Sequence, residues 1–150
     1  MTLSLEDKWA IQEVVNRFCH YSDYGDWDRL RTLYTPDSTT ELVGLDTRFT
    51  GVEQQVVHAQ HSFEHAQGRN RHYNHNLVID EVSDDEAWAR YYIQQLAAQE
   101  QYGATQLGAT ARMEDRMVRT ADGWKIAERR FNGDQSFQLS EEEMENYKAA

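Results

Sequence analysis

Apolar residues in the first 66 positions recur at helical spacing, and from Arg71 onward they alternate as in strands. Ile11, Val14, Val15, Phe18 and Cys19 form one stripe. They predict a helix that opens after Ser4, with Ser4 and Asp7 as a capping box, and ends near Tyr24 and Gly25. Asp26 is a good N-cap for a short second helix with Trp27, Leu30, Leu33 and Tyr34 on one face. Thr35-Pro36-Asp37 reads as a turn, 39–43 as a short strand, and 44–46 as another turn. Thr50 and Glu53 predict a second capping box, opening a third helix to about His65 that buries Val52, Val56, Ala59 and Phe63. Long strands follow at 72–82, 87–99, 106–119 and 124–131, joined by turn-like Asp84-Asp85 and Ala121-Asp122-Gly123. Helices first and strands afterwards is the α+β pattern. Strands of this length twist and curl, and a curled sheet around helices encloses a pocket. Positions 140–148 read as a short acidic helix.

Composition narrows the function. The chain has 150 residues, which predicts a single domain, 1–150, with its core at about 5–131 and a tail at 132–150. A chain of that size buries roughly 68–70% of its unfolded surface, so it needs no disulfide or metal to fold. Its one cysteine, Cys19, allows no internal disulfide and suits a reducing cytoplasm. The formal charge of −11, from 15 basic and 26 acidic residues, argues against nucleic acid and anionic membranes as partners. A small, neutral, apolar organic molecule is the better match. No apolar run is long enough to span a bilayer, and positions 1–7 lack a leader pattern, so a cytoplasmic location is expected.

Among side chains that carry chemistry, Asp23 stands out. It follows Cys19 by four residues, on the flank of the apolar stripe, in the last helical turn where the macrodipole disfavours a carboxylate. Such a residue has a partner, a job, or an exposed place beside the turn. Asp26 is a plain N-cap. His58, His61 and His65 have metal-like spacing, but their stripe lies roughly 140–150° from the apolar one. They are expected to face solvent or a neighbouring subunit, and no metal site is assigned. His72 and His75 sit three apart on a strand and so face opposite sides. His75 shares a parity with Leu77 and Ile79, and His72 with Asn76 and Val78; periodicity leaves the choice open. No Gly-rich phosphate loop, nucleophile elbow or dinucleotide fingerprint is present.

Five segments in order carry a family resemblance. They are Tyr21-Ser22-Asp23-Tyr24-Gly25-Asp26-Trp27-Asp28-Arg29-Leu30, Leu33-Tyr34-Thr35-Pro36-Asp37, Phe49-Thr50-Gly51-Val52-Glu53, His72-x-x-x-Asn76, and the run from Asp115 through Gly123-Trp124 to Arg130. The pattern resembles the SnoaL-like branch of the nuclear transport factor 2-like superfamily, and within it the scytalone dehydratase-like members. The resemblance implies a cone-shaped barrel: a strongly curved, mostly antiparallel sheet packed on three N-terminal helices around a deep apolar cavity, the cystatin-like architecture. It also selects His72 over His75, because dehydratase-like members pair such a histidine with an aspartate at the position of Asp23. Arg129 is implied as a cavity residue, with Phe18, Cys19 and Met113 as further lining. Ser22 stands where scytalone dehydratase has a tyrosine, and Met113 where many relatives have one.

The implied activity is that of a cofactor-independent dehydratase, lyase or isomerase on a small polycyclic, phenolic, steroid-like or halogenated substrate, worked by Asp23 and His72. The alternative is a non-catalytic module, such as a ring-hydroxylating dioxygenase small-subunit-like protein or a carrier of an apolar ligand. The resemblance further implies a homodimer or homotrimer.

Overall fold

A computed structural model of the protein describes residues 3–98 and 103–134. Helix α1 (Leu5–Tyr24) begins where the sequence places it. The Ser4 hydroxyl accepts the Asp7 N–H at 3.0 Å, and the Asp7 carboxylate accepts the Ser4 N–H at 3.3 Å. It ends at Gly25, whose φ of 68° is the left-handed cap that glycine takes without strain. Its buried residues are Ile11, Val14, Val15, Cys19, Ser22 and Asp23, so the apolar stripe runs on into two polar side chains.

Helix α2 (Trp27–Arg31) is capped by Asp26, whose carboxylate accepts the Arg29 N–H. It is shorter than its apolar spacing predicts. Leu33 and Tyr34 leave the helix, and strand β1 (Tyr34–Leu42) starts at once, so Thr35-Pro36-Asp37 is strand and not turn. The proline is tolerated because the pairing of β1 with β6 (Gly123–Gly133) is irregular between Tyr34 and Thr39, where no ladder N–H is needed. A strand that the sequence reading missed, β2 (Thr47–Thr50), pairs back onto β1. Its four residues are too few to display a period.

Helix α3 (Val52–His65) also corrects an expectation. Its N-cap is Gly51 at φ 85°, with no side-chain cap bond. The Thr50 N–H donates instead to the Gln54 side chain at 2.8 Å, and Glu53 turns outward to Arg31 at 2.9 and 3.0 Å. Val56 is fully buried, while Val52 and Ala59 are packed against the core.

Strands β3 (Asn70–Ser83), β4 (Glu86–Ala98) and β5 (Thr105–Thr120) complete a six-stranded sheet in the order β2-β1-β6-β5-β4-β3. Only β1–β6 is parallel. The sheet is curved but not closed, and β2 and β3 are its edges. The helices cover its inner face, where Ile11, Val15, Leu30, Ala87, Ala89, Met117 and Ile126 are wholly buried. The acidic helix expected at 140–148 lies outside the described residues.

Strand β3 contains the departure that matters most for the site. Its register on β4 shifts between His75 and Val78, and Asn76 sits there at φ 55°. This is a bulge, and asparagine tolerates its left-handed conformation better than most residues. The extra residue resets the alternation. His72 and Asn74 face inward before it, Leu77 and Ile79 face inward after it, and Tyr73, His75 and Val78 are exposed. His72 therefore shares a face with Leu77 and Ile79, the reverse of what unbroken parity gives.

Candidate functional site

The end of α1 and the start of β3 meet edge to edge. Asp23 is 8% exposed and the His72 side chain 13%. One carboxylate oxygen lies 2.6 Å from His72 Nδ1, and the other accepts the backbone N–H of His72 at 2.8 Å. Asp23 thus holds both the ring and the main chain of its partner. An ionised carboxylate at Nδ1 selects the neutral tautomer that carries its proton there. Nε2 is left with a free lone pair and takes no hydrogen bond among the described residues. Gly25 helps to set this geometry: its left-handed cap ends α1 two residues after Asp23.

Next to the pair, the Asn74 side-chain amide donates to Asn16 Oδ1 at 3.1 Å and to Cys19 Sγ at 3.6 Å. Burial, the largest influence, pushes the Cys19 thiol up to about 11. Cys19 is therefore protonated and unreactive at neutral pH.

The Phe18 ring links the pair to a second polar cluster. Its centroid is 6.3 Å from that of His72 and 3.9 Å from Arg129 Cζ. Arg129 is 3% exposed and forks onto Asp115, 0% exposed, with both N···O distances 2.7 Å. Tyr91 donates to Asp115 at 2.9 Å and accepts from Arg129 at 3.1 Å, and Tyr34 accepts from Arg129 at 3.0 Å. Burial works against the Arg129 charge, but the Asp115 carboxylate, helped by the two phenol oxygens, holds its pKa well above the ordinary value. Burial pushes Tyr34 up to about 12 and Tyr91 well above its usual range, so both keep their protons.

Each sequence-assigned residue has a definite place. Asp23 and His72 are in contact; Phe18 bridges them to Arg129; Cys19 lies beside Asn74; Met113 is core at 2% exposure. Two surface grooves, of about 420 and 680 Å³, lie elsewhere. One is lined by Glu41, Val43, Arg112, Glu114, Arg130 and Asn132, and the other by α1 and β3 residues from Leu5 to Ile79. Neither is lined by Asp23 or His72. His58, expected to face solvent or another subunit, stacks on Phe49 at 4.8 Å. Among the described residues no three His, Cys, Asp or Glu side chains converge as metal ligands. No helix among them is long and apolar enough to cross a membrane. The sequence reading missed Tyr34, Tyr91 and Asp115. Asp115 was findable: it alternates with Met113 and Met117, which marks it as an inward-facing charge in need of a partner.

Helices packed on one face of a curved, open, mostly antiparallel sheet make the nuclear transport factor 2-like, cystatin-like fold. Residues 3–130 match the SnoaL-like domain, and the chain belongs to that family. Aln2 from a Streptomyces species has a similar structure, with a TM-score of 0.79 at 21% identity over 89% of this chain and 95% of that one. An NTF2-like protein with a cystatin-like fold from Novosphingobium aromaticivorans gives 0.77 at 19% identity, covering 95% and 89%. A protein from Catenulispora acidiphila, solved in complex with S-DNPA, gives 0.70 at 25% identity, covering 85% and 92%. Among curated proteins none matches.

Proposed function

We propose that the protein is a cofactor-independent lyase or isomerase of the scytalone dehydratase-like kind, acting on a small apolar substrate through Asp23 and His72. The observation that carries this reading is the double hold of Asp23 on His72, at 2.6 Å to the ring and 2.8 Å to the main chain, with Nε2 unspent. His72 Nε2 takes a proton from a carbon next to a carbonyl or phenol. The C–H electrons form the new double bond, and the leaving hydroxyl departs as water with the proton the imidazolium returns. Asp23 stabilises that imidazolium, as the acid of a catalytic triad does. Return of the proton to another carbon gives isomerisation instead. The S-DNPA complex of the Catenulispora acidiphila protein supports ligand binding by this fold.

The test is a panel of phenolic, steroidal and halogenated compounds, followed by loss of water, loss of halide or double-bond migration. His72→Ala is expected to lower turnover by about 10²–10⁴-fold, with a melting temperature close to the parent's. Asp23→Asn is expected to lower turnover steeply while leaving affinity for an apolar ligand intact. Undiminished turnover in His72→Ala rejects the reading. A second reading, a carrier or assembly module, is favoured by the two grooves, which the pair does not line. It predicts tight binding of a panel member that comes back unchanged.

A further inference from the structure

Strand β3 presents Asn70, His72 and Asn74 to the inner side of the sheet, while Arg71 and Tyr73 between them are exposed. Asn70 is 1% exposed, yet its Oδ1 accepts no hydrogen bond among the described residues. Other buried polar side chains of the fold are paired. Gln55, 4% exposed, accepts from Thr40 Oγ1 at 2.6 Å and donates to the Ser38 carbonyl oxygen at 3.3 Å. Both carboxylate oxygens of Asp115 have partners as well. An unpaired amide oxygen in the interior destabilises a fold, and native structures keep few of them. A second open group lies beside the other member of the reacting pair. Ser22, 3% exposed, directly precedes Asp23, and its Oγ has no partner among the described residues. Asp23 and His72 are thus each accompanied on their own element by a buried polar atom that the chain itself leaves unsatisfied. The two are not equivalent. The Ser22 hydroxyl turns to donate or accept, as do the unpaired hydroxyls of Thr35 and Ser38 on β1, whereas Asn70 Oδ1 can only accept.

We infer that Asn70 is a specificity-determining residue, whose Oδ1 receives an O–H or N–H group of the small molecule held at His72. The inference rests on the proposed role of Asp23 and His72 and names a feature of their substrate: an apolar frame that carries one hydrogen-bond donor. Two strand residues with a rise of about 3.3 Å each separate Asn70 from His72, so the donor and the carbon facing Nε2 lie roughly 6–7 Å apart, the span of a two-ring molecule. A hydroxyl or an N–H satisfies the amide oxygen. A halogen or an ether oxygen in the same place leaves it buried and unpaired. A site that hydrogen-bonds a substrate hydroxyl rejects the analogue lacking it far more strongly than an apolar pocket rejects a missing methylene. Of the substrate kinds considered for the pair, Asn70 therefore selects phenols and hydroxylated rings over halogenated hydrocarbons.

Equilibrium dialysis of the full chain against two pairs of probes tests this. β-Naphthol and β-fluoronaphthalene have nearly one shape and differ in an O–H; indole and benzofuran differ in an N–H. In at least one pair the donor-bearing member is expected to bind about tenfold or more tightly than its mate. Asn70→Leu, close in volume and without polar atoms in its side chain, is expected to bring that pair to within about twofold, by weakening the donor-bearing probe alone. Its melting temperature is expected to match or exceed the parent's, because an unpaired carbonyl leaves the core. Circular dichroism melting checks the fold; if Asn70→Leu does not fold, Asn70→Ala, which adds no bulk, is read in the same way. Equal binding within both pairs overturns the inference, as does no binding of any probe up to its solubility limit. So does a variant that keeps the parent's preference, or one that loses all four probes alike, which marks Asn70 as a structural residue. None of these outcomes depends on turnover. A parent that prefers the donor-bearing probe but converts no member of the substrate panel rejects the catalytic reading of Asp23 and His72 and leaves Asn70 as the selector of a carrier.

Discussion

Arg129 and Asp115 form an ion pair in the core, where either charge alone is costly. Removing one partner strands the other. Arg129→Met leaves the Asp115 carboxylate with only the Tyr91 hydroxyl, and is expected to cost about 3–5 kcal/mol of unfolding free energy in urea titrations. Tyr91→Phe removes one hydroxyl and leaves the fork intact, so its cost is about 1 kcal/mol. A loss below 1 kcal/mol for Arg129→Met contradicts this account of the cluster. Residue by residue, the site was unevenly legible. Asp23 was marked by a carboxylate at the wrong end of a helix dipole. His72 was chosen by resemblance, since alternation along the strand left it level with His75. The phenols of Tyr34 and Tyr91 gave no signal, because a tyrosine on a strand looks the same whether its hydroxyl reaches water or a buried guanidinium.

At the scale of the element, β3 depends on a single inserted residue. Without the bulge at Asn76, a strand that turns His72 and Asn74 toward α1 turns Leu77 and Ile79 toward solvent. Asn76→Val places a β-branched side chain at φ 55° and is expected to lose about 1–2 kcal/mol, while Asn76→Gly keeps or slightly raises stability. Deleting Asn76 removes the parity reset altogether, forcing either His72 or the Leu77–Ile79 pair out of the core. Hydrogen exchange along β3 checks this: protection is expected to hold in Asn76→Gly and to fail over half the strand in the deletion. Long amphipathic elements such as α1 and the four late strands were readable because many residues repeat one period. The bulge, the four-residue β2 and the strand through Pro36 were not, since each is decided by what the neighbouring strand offers and not by local pattern.

For the whole molecule, acid stability follows from how the helices are tied down. Asp7 on α1 accepts from Arg119 of β5 at 2.7 Å and from Trp124 of β6 at 3.1 Å, and the Arg119 bond is the main reason its carboxyl lies well below its ordinary 3.8. Glu53 on α3 is lowered from 4.5 mainly by Arg31 of α2, and Glu81 on β3 mainly by Lys8 of α1. All three shifts are downward, so each link stabilises fully above the unfolded pKa and is lost as pH falls through the folded one. Net charge acts in the opposite direction at first. Between neutrality and the isoelectric point near 4.9, acidification relieves the repulsion of a chain that carries −11. The urea midpoint is therefore expected to hold or rise from pH 7 to about 5, then to fall steadily below about pH 4.5 as the three carboxylates protonate and the charge turns positive. Asp7→Asn, Glu53→Gln and Glu81→Gln combined lower the midpoint at pH 6 and flatten the fall on the acid side. If the triple variant keeps the parent's acid slope, other carboxylates hold the helices to the sheet.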